Sequence, residues 1–153
     1  MMIVLGVDPG SKMTAIVGLI GQDVSLALYE PNETVLRWLK AKKQNPPATL
    51  VIEKIASYGM PVGESVFETV YWSGRFAEAY GAELVHRITR IKVKNHICHS
   101  ARAKDGNVRQ ALIDRFGPVG TKKKPGPLYG ISGDLWSALA VAVTWADQNK
   151  PEV

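Results

Sequence analysis

The chain has 153 residues, 46% of them apolar and 22% charged, with fourteen Gly and nine Pro; this is the make-up of one globular domain over 1–153 and excludes disordered, collagenous and coiled-coil chains. Its longest mainly apolar stretch, Leu135 to Ala146, is broken by Trp136, Ser137 and Thr144 and falls short of the roughly 18 residues of a membrane-spanning helix, while the lone Cys98 leaves no intramolecular disulfide and no multi-cysteine zinc site. The net charge of +5 is uneven: Arg87 to Lys124 holds eleven basic and two acidic residues, the remainder eight basic and twelve acidic, so the basic segment suits either a phosphate backbone or a solvated face.

Residues 2–7 (MIVLGV) are a continuous apolar run that stops at Asp8-Pro9-Gly10-Ser11, where Pro and Gly force a turn, so a buried strand ends at Asp8. The start of the sequence lacks the basic region of a secretory signal, and a cytoplasmic protein is expected. Residues 13–20 and 23–29 read as two further strands of an antiparallel meander, divided by Gly21-Gln22. A helix follows, with Asn32 as its expected N-cap, Val35, Leu36 and Leu39 as its apolar stripe, Lys40, Lys42 and Lys43 near its end, and Asn45-Pro46-Pro47 as its stop.

Residues 48–52 make a short strand ending at Glu53, which has no turn or capping role, and an irregular stretch runs from Ser57 to Gly63. Val66, Phe67, Val70, Tyr71, Gly74 and Ala77 are spaced for a helix over 64–79, and residues 82–86 (AELVH) predict a fifth strand. The basic segment then reads as a Lys- and His-rich loop (88–100), a helix from about Lys104 to Phe116, and a Pro/Gly/Lys loop (117–130) too polar for core. A final helix, capped by Ser132 or Asp134, carries Leu135, Ala138, Leu139, Ala142 and Val143 on one face. The order is βββαβαβ, then helices.

Asp8 and Glu53 each end a strand and Asp134 opens the last helix, so this order permits all three to meet at one sheet edge. Clustered carboxylates repel unless a hard cation such as Mg²⁺ or Mn²⁺ accepts their oxygens, and such ions can drive phosphodiester hydrolysis. Taken singly, Asp8 is also explained as a turn former and Asp134 as a helix cap.

Gly6-Val7-Asp8-Pro9-Gly10-Ser11 after an apolar strand, Val51-Ile52-Glu53, and Gly133-Asp134 with Ser137 to Ala142 together resemble the RuvC-type Holliday junction resolvases, over almost the whole chain. Ala101 to Val108 (ARAKDGNV) is similar to the basic segment that opens that family's penultimate helix, and the short, diverged sequence resembles phage-encoded members. The resemblance implies an α/β RNase H-like fold, a mixed five-stranded sheet flanked by helices. It also implies a homodimer that binds branched DNA, especially four-way junctions, and nicks two opposed strands with Mg²⁺, Mn²⁺ substituting. Asp8, Glu53 and Asp134 are then the catalytic and metal-holding acids, in a bacterial or phage-host cytoplasm and with no membrane partner. One departure is Ser137, which stands where the family usually has a fourth acid, and a hydroxyl does not replace a carboxylate's charge.

Lys92, Lys94, Arg102, Lys104, Arg109 and Lys122, Lys123 and Lys124 are the expected contacts to DNA phosphates, read without base specificity. Tyr58 and Met60 are either loop packing or wedges at a junction crossover. His86, His96 and His99 are structural or DNA-contacting, and Tyr71, Trp72 and Phe76 fit a core face or a dimer seam. Alternatives to a junction nuclease are a junction- or duplex-binding protein with reduced or no cleavage, motivated by Ser137, and another RNase H-like enzyme such as an RNA–DNA hybrid hydrolase. The DPGS turn also occurs in actin-like ATPases, but the chain is too short for their paired domains.

Overall fold

In the computed structural model, residues 2–42 and 47–150 are described, so the expected stop at Asn45-Pro46 lies outside the described residues. Five strands, β1 (Ile3–Asp8), β2 (Met13–Ile20), β3 (Asp23–Pro31), β4 (Thr49–Lys54) and β5 (Val85–Thr89), form one sheet in the order β3-β2-β1-β4-β5. β1 and β2 pair antiparallel across the turn at residues 9–12, and β2 and β3 across the short Gly21-Gln22 turn; β4 and β5 add in parallel because helices carry the chain back each time. This mixed sheet with helices on both faces is the RNase H-like fold.

Strand alternation sorts the core into two layers. Leu5, Val7, Leu50 and Ile52 point into one layer, closed by α1 (Asn32–Lys42) and α2 (Glu64–Tyr80) through Val35, Leu36, Leu39, Phe76 and Tyr80. Val4 and Val51 point into the other, closed by α3 (Arg90–Cys98), α4 (Asp105–Phe116) and α5 (Leu135–Gln148). Across the centre of α5, Ala138 to Thr144 are all buried, which explains why it is apolar all round. Among the described residues no helix is long and apolar enough to cross a membrane.

Four expectations are corrected. The fifth strand begins at Val85 rather than Ala82, because Ala82–Leu84 form a 3₁₀ turn first. The expected loop 88–100 contains helix α3: Thr89 accepts a hydrogen bond from the Lys92 amide at its start, and His99, in a left-handed conformation, ends it. Only Val93 of α3 is buried, so its stretch lacks the apolar stripe that marks a helix in sequence. Asn32 is not a side-chain cap but a buried tie, as described below. The loop 117–130 is not all solvent: Leu128 is fully buried and anchors it to the core.

Candidate active site

Asp8 closes β1, and Glu53 lies one residue beyond the Val7–Ile52 rung that joins β1 to β4. Alternation puts Gly6 and Asp8 on the same face as Val4, and Glu53 on the same face as Val51, so both acids lie under α5. Gly6 allows that helix to come close: a Cβ there would stand 2.7 Å from the Ala142 amide nitrogen and nearer still to the Ala138 carbonyl oxygen. With Ala138 and Ala142 over Gly6, the start of α5 extends toward the Asp8 end of the strand. Asp134 occupies the N-cap position there, yet its side chain makes no capping hydrogen bond and stays exposed.

The turn after Asp8 is fixed from beneath. Thr14 Oγ1 donates to Asn32 Oδ1 at 2.6 Å, and Asn32 Nδ2 donates to the Gly10 carbonyl at 2.9 Å; both side chains are buried. The Gly10 amide in turn donates to Thr14 Oγ1 at 3.4 Å. Asn32 therefore braces the DPGS turn across 22 residues of sequence.

Burial, then the charges of Glu53 and Asp134, then a hydrogen bond shared with Glu53 push the Asp8 carboxyl up from 3.8 to about 8, while Arg90 pulls it back. Glu53 is also raised by burial, opposed by Arg90, by the hydrogen bond to Asp8 and by Lys94. Asp8 and Glu53 thus act on one another as a pair, with the Asp134 charge also raising Asp8. Among the described residues no three His, Cys, Asp or Glu side chains are drawn together into a ready-made metal cage. The donor set nevertheless suits a hard divalent cation: crowded carboxylates whose pKa values are pushed up by burial gain from a cation that favours their charged form.

A cleft of about 290 Å³ opens beside the acids, lined among others by Glu53, Arg90, Lys94, Arg109, Asp134 and Ser137. Of the expected DNA contacts, Lys94 and Arg109 face this cleft. Lys92, Arg102 and Lys104 are exposed on α3 and the turn leading into α4. Lys122, Lys123 and Lys124 do not line it; they sit on a short hairpin closed by the Gly120–Pro125 bridge and by paired hydrogen bonds between Thr121 and Lys124.

Tyr58 and Gly59 both have positive φ, 51° and 79°, and the Met60 amide bonds back to the Ser57 carbonyl at 2.9 Å, so the Tyr58–Met60 segment is a tight turn. Tyr58 is 52% and Met60 70% exposed just beyond β4, which leaves both side chains free of the core. His96 is held by Asp147 at 2.7 Å, and the exposed His86 stacks on Trp145, so neither enters the cleft. Phe76 is core, with Trp72 packed against it, while Phe67, Val70 and Tyr71 of α2 are exposed.

Sequence reasoning missed Arg90 and Asp105. Arg90 opens α3, one residue past the Lys54–Thr89 rung, and its guanidinium lies 3.6 Å from Glu53 while also pairing with Asp105 at the start of α4. Only the parallel register of β4 and β5 brings Arg90 beside Glu53, and nothing in a linear reading signals it.

No protein-family model and no curated protein sequence matches the chain. Among solved structures the chain is similar to RuvC of Thermus thermophilus, with a TM-score of 0.67 and 19% identity over 95% of this chain and 93% of that one. It is similar also to T. thermophilus RuvC in complex with a Holliday junction substrate, with a TM-score of 0.70 and 18% identity at the same coverage. The chain has the RuvC-type fold from end to end of that match.

Proposed function

We propose that this chain is one domain that acts, as a homodimer, as a structure-selective, metal-dependent endodeoxyribonuclease nicking four-way or other branched DNA in pairs. The observation that carries the reading is the placement of two carboxylates, half-buried Asp8 and buried Glu53, on one sheet face beneath the helix start that bears Asp134. The RuvC-type fold supports it, one similar structure being that of a protein bound to a Holliday junction substrate.

Asp8, Glu53 and Asp134 would hold the divalent cation, Mg²⁺ or in its place Mn²⁺. Such an ion, when bound, polarises a phosphodiester and lowers the pKa of water. The chain's own contribution is to position the strand. Lys94 and Arg109 hold a phosphate in the cleft, and Lys92, Arg102, Lys104 and the Lys122–Lys124 hairpin extend the path along the backbone. Tyr58 and Met60 stand at the crossover as wedges, their tight turn projecting them without core contacts. The exposed Phe67, Val70 and Tyr71 face of α2 supplies the apolar surface for a second copy.

A second reading, a junction-binding protein that cleaves weakly or not at all, is favoured by Ser137 and by Arg90 standing against Glu53. End-labelled four-way DNA incubated with the protein in Mg²⁺ or Mn²⁺, beside Asp8→Asn and a matched linear duplex, separates the two. Paired nicks on the junction, lost in the variant, are expected. Tight junction binding without nicks in either metal establishes the second reading instead. Faster cutting of an RNA–DNA hybrid than of the junction points to a different RNase H-like hydrolase.

A further inference from the structure

We propose that Arg90, tethered by Asp105, is a built-in counter-cation of the acid pair, which yields its hold on Glu53 when a divalent ion enters and is then retained by Asp105. The inference rests on the reading of Asp8, Glu53 and Asp134 as metal-holding acids and adds a residue pair that sets how tightly they do so.

Three observations lead here. The guanidinium faces two acids at once: it lies 3.6 Å from Glu53 and pairs with Asp105. The two partners differ in freedom, for the Glu53 side chain is 10% exposed and that of Asp105 80% exposed, so Asp105 can follow Arg90 outward while Glu53 stays fixed in β4. Arg90 is also the first residue of α3, where a cation opposes the helix dipole; the position is a poor one for arginine unless acids face it, and two do.

A fixed positive charge at this point has two opposed effects. Before metal arrives it offsets the negative charge of Glu53. Once metal arrives it repels the ion, and every contact it keeps with Glu53 weakens the site. Asp105 resolves the conflict by offering the guanidinium an alternative partner at the rim of the same cleft. Asp105 is thus a positioning residue acting through Arg90, not a ligand in place of the acid missing at Ser137.

The test is direct Mn²⁺ binding, read from the loss of the free-ion paramagnetic resonance signal, for the full chain and for Arg90→Gln, Arg90→Lys, Asp105→Asn and the Arg90→Gln/Asp105→Asn double variant. Arg90→Gln is expected to tighten Mn²⁺ about tenfold, and Arg90→Lys, which keeps the charge, to stay within about threefold of wild type. Asp105→Asn should weaken Mn²⁺ about threefold alone and have no further effect beside Arg90→Gln, as two residues acting through one contact require.

Lys92→Gln, which removes an exposed charge from the same helix, controls for general electrostatics and should shift the midpoint far less. Unchanged or weaker binding in Arg90→Gln overturns the inference. An Asp105→Asn loss that persists beside Arg90→Gln overturns it differently, by making Asp105 a ligand. If wild type binds no Mn²⁺, or Asp8→Asn binds it equally well, the reading of the acids fails and the inference falls with it. Circular dichroism on each variant shows that the fold is intact.

Discussion

Gly6 and Ala138 bring the sheet and α5 into close contact: a Cβ on Gly6 would collide with the Ala138 carbonyl, and with the Ala142 side chain at 2.8 Å. The contact is backbone against backbone, so no rotamer change relieves it. Gly6→Ala therefore lifts α5 from β1 and carries Asp134 away from Asp8. A stability loss of about 2–3 kcal/mol in urea unfolding is expected, together with weaker Mn²⁺ binding. Full retention of both would show that α5 shifts along β1 without cost.

Asp8 should make the metal-free protein less stable as pH rises. Its carboxyl is raised to about 8 in the folded chain from 3.8, chiefly by burial, so the folded state binds the extra proton between those values. Unfolding free energy then falls from about pH 4 to about pH 8 and levels off above. Asp8→Asn removes the charge and is expected to raise metal-free stability at pH 8 by about 1–2 kcal/mol while abolishing the gain that Mg²⁺ gives wild type. Thermal melts with chelator and with Mg²⁺ decide it; a variant no more stable than wild type in chelator contradicts the assignment.

At the far end of α5, Asp147 is held in the opposite sense. Two Arg115 hydrogen bonds of 2.6 Å, aided by His96, hold its carboxyl down at about 2. Its stabilisation is fully present above the ordinary value of 3.8 and disappears as pH falls through about 2. Because Arg115 is partly exposed, Asp147→Asn should cost only about 1–2 kcal/mol at pH 7, and the deficit should vanish in acid. A deficit that is the same at pH 2 and pH 7 would assign the loss to packing.

The strands and acids were legible because each apolar run stops at a turn or an acid: β1 at Asp8, and β4 at Glu53 and Lys54. Asp134 was legible as a helix start, though the structure leaves its carboxylate free of any cap. What sequence could not convey depends on pairing across distance. Asn32 looks like a cap because it precedes a helical stripe, yet its amide is spent on Gly10 and Thr14. Helix α3 is hidden because only Val93 is buried, so no stripe marks it. Arg90 and Asp105 are fifteen residues apart and meet only because α3 packs on α4 beside the β4–β5 register.

The Asn32 brace yields a prediction that separates folding from site geometry. Asn32→Ala leaves Thr14 Oγ1 without its buried acceptor and the Gly10 carbonyl without its donor, at a cost of about 1–3 kcal/mol. Since the freed segment is the DPGS turn, Mn²⁺ affinity should fall together with stability. Thr14→Val in the same background removes the orphaned hydroxyl and should restore part of the stability but none of the affinity. Recovery of both would mean that Asn32 serves the core alone.

Lys122, Lys123 and Lys124 stand apart from the cleft, on a hairpin held at one end by the Thr121–Lys124 bonds and anchored to the core by buried Leu128. Lysines on a tied hairpin lose less backbone freedom on meeting a phosphate than lysines on a free loop. If all three neutralise phosphates, replacing them with Ala should weaken junction binding and lower the slope of log affinity against log salt by about 2–3. Because none of them lines the cleft, Mn²⁺ affinity should stay at the wild-type value. A salt slope unchanged by the triple substitution would remove the hairpin from the DNA path and leave Lys94 and Arg109 as its inner contacts.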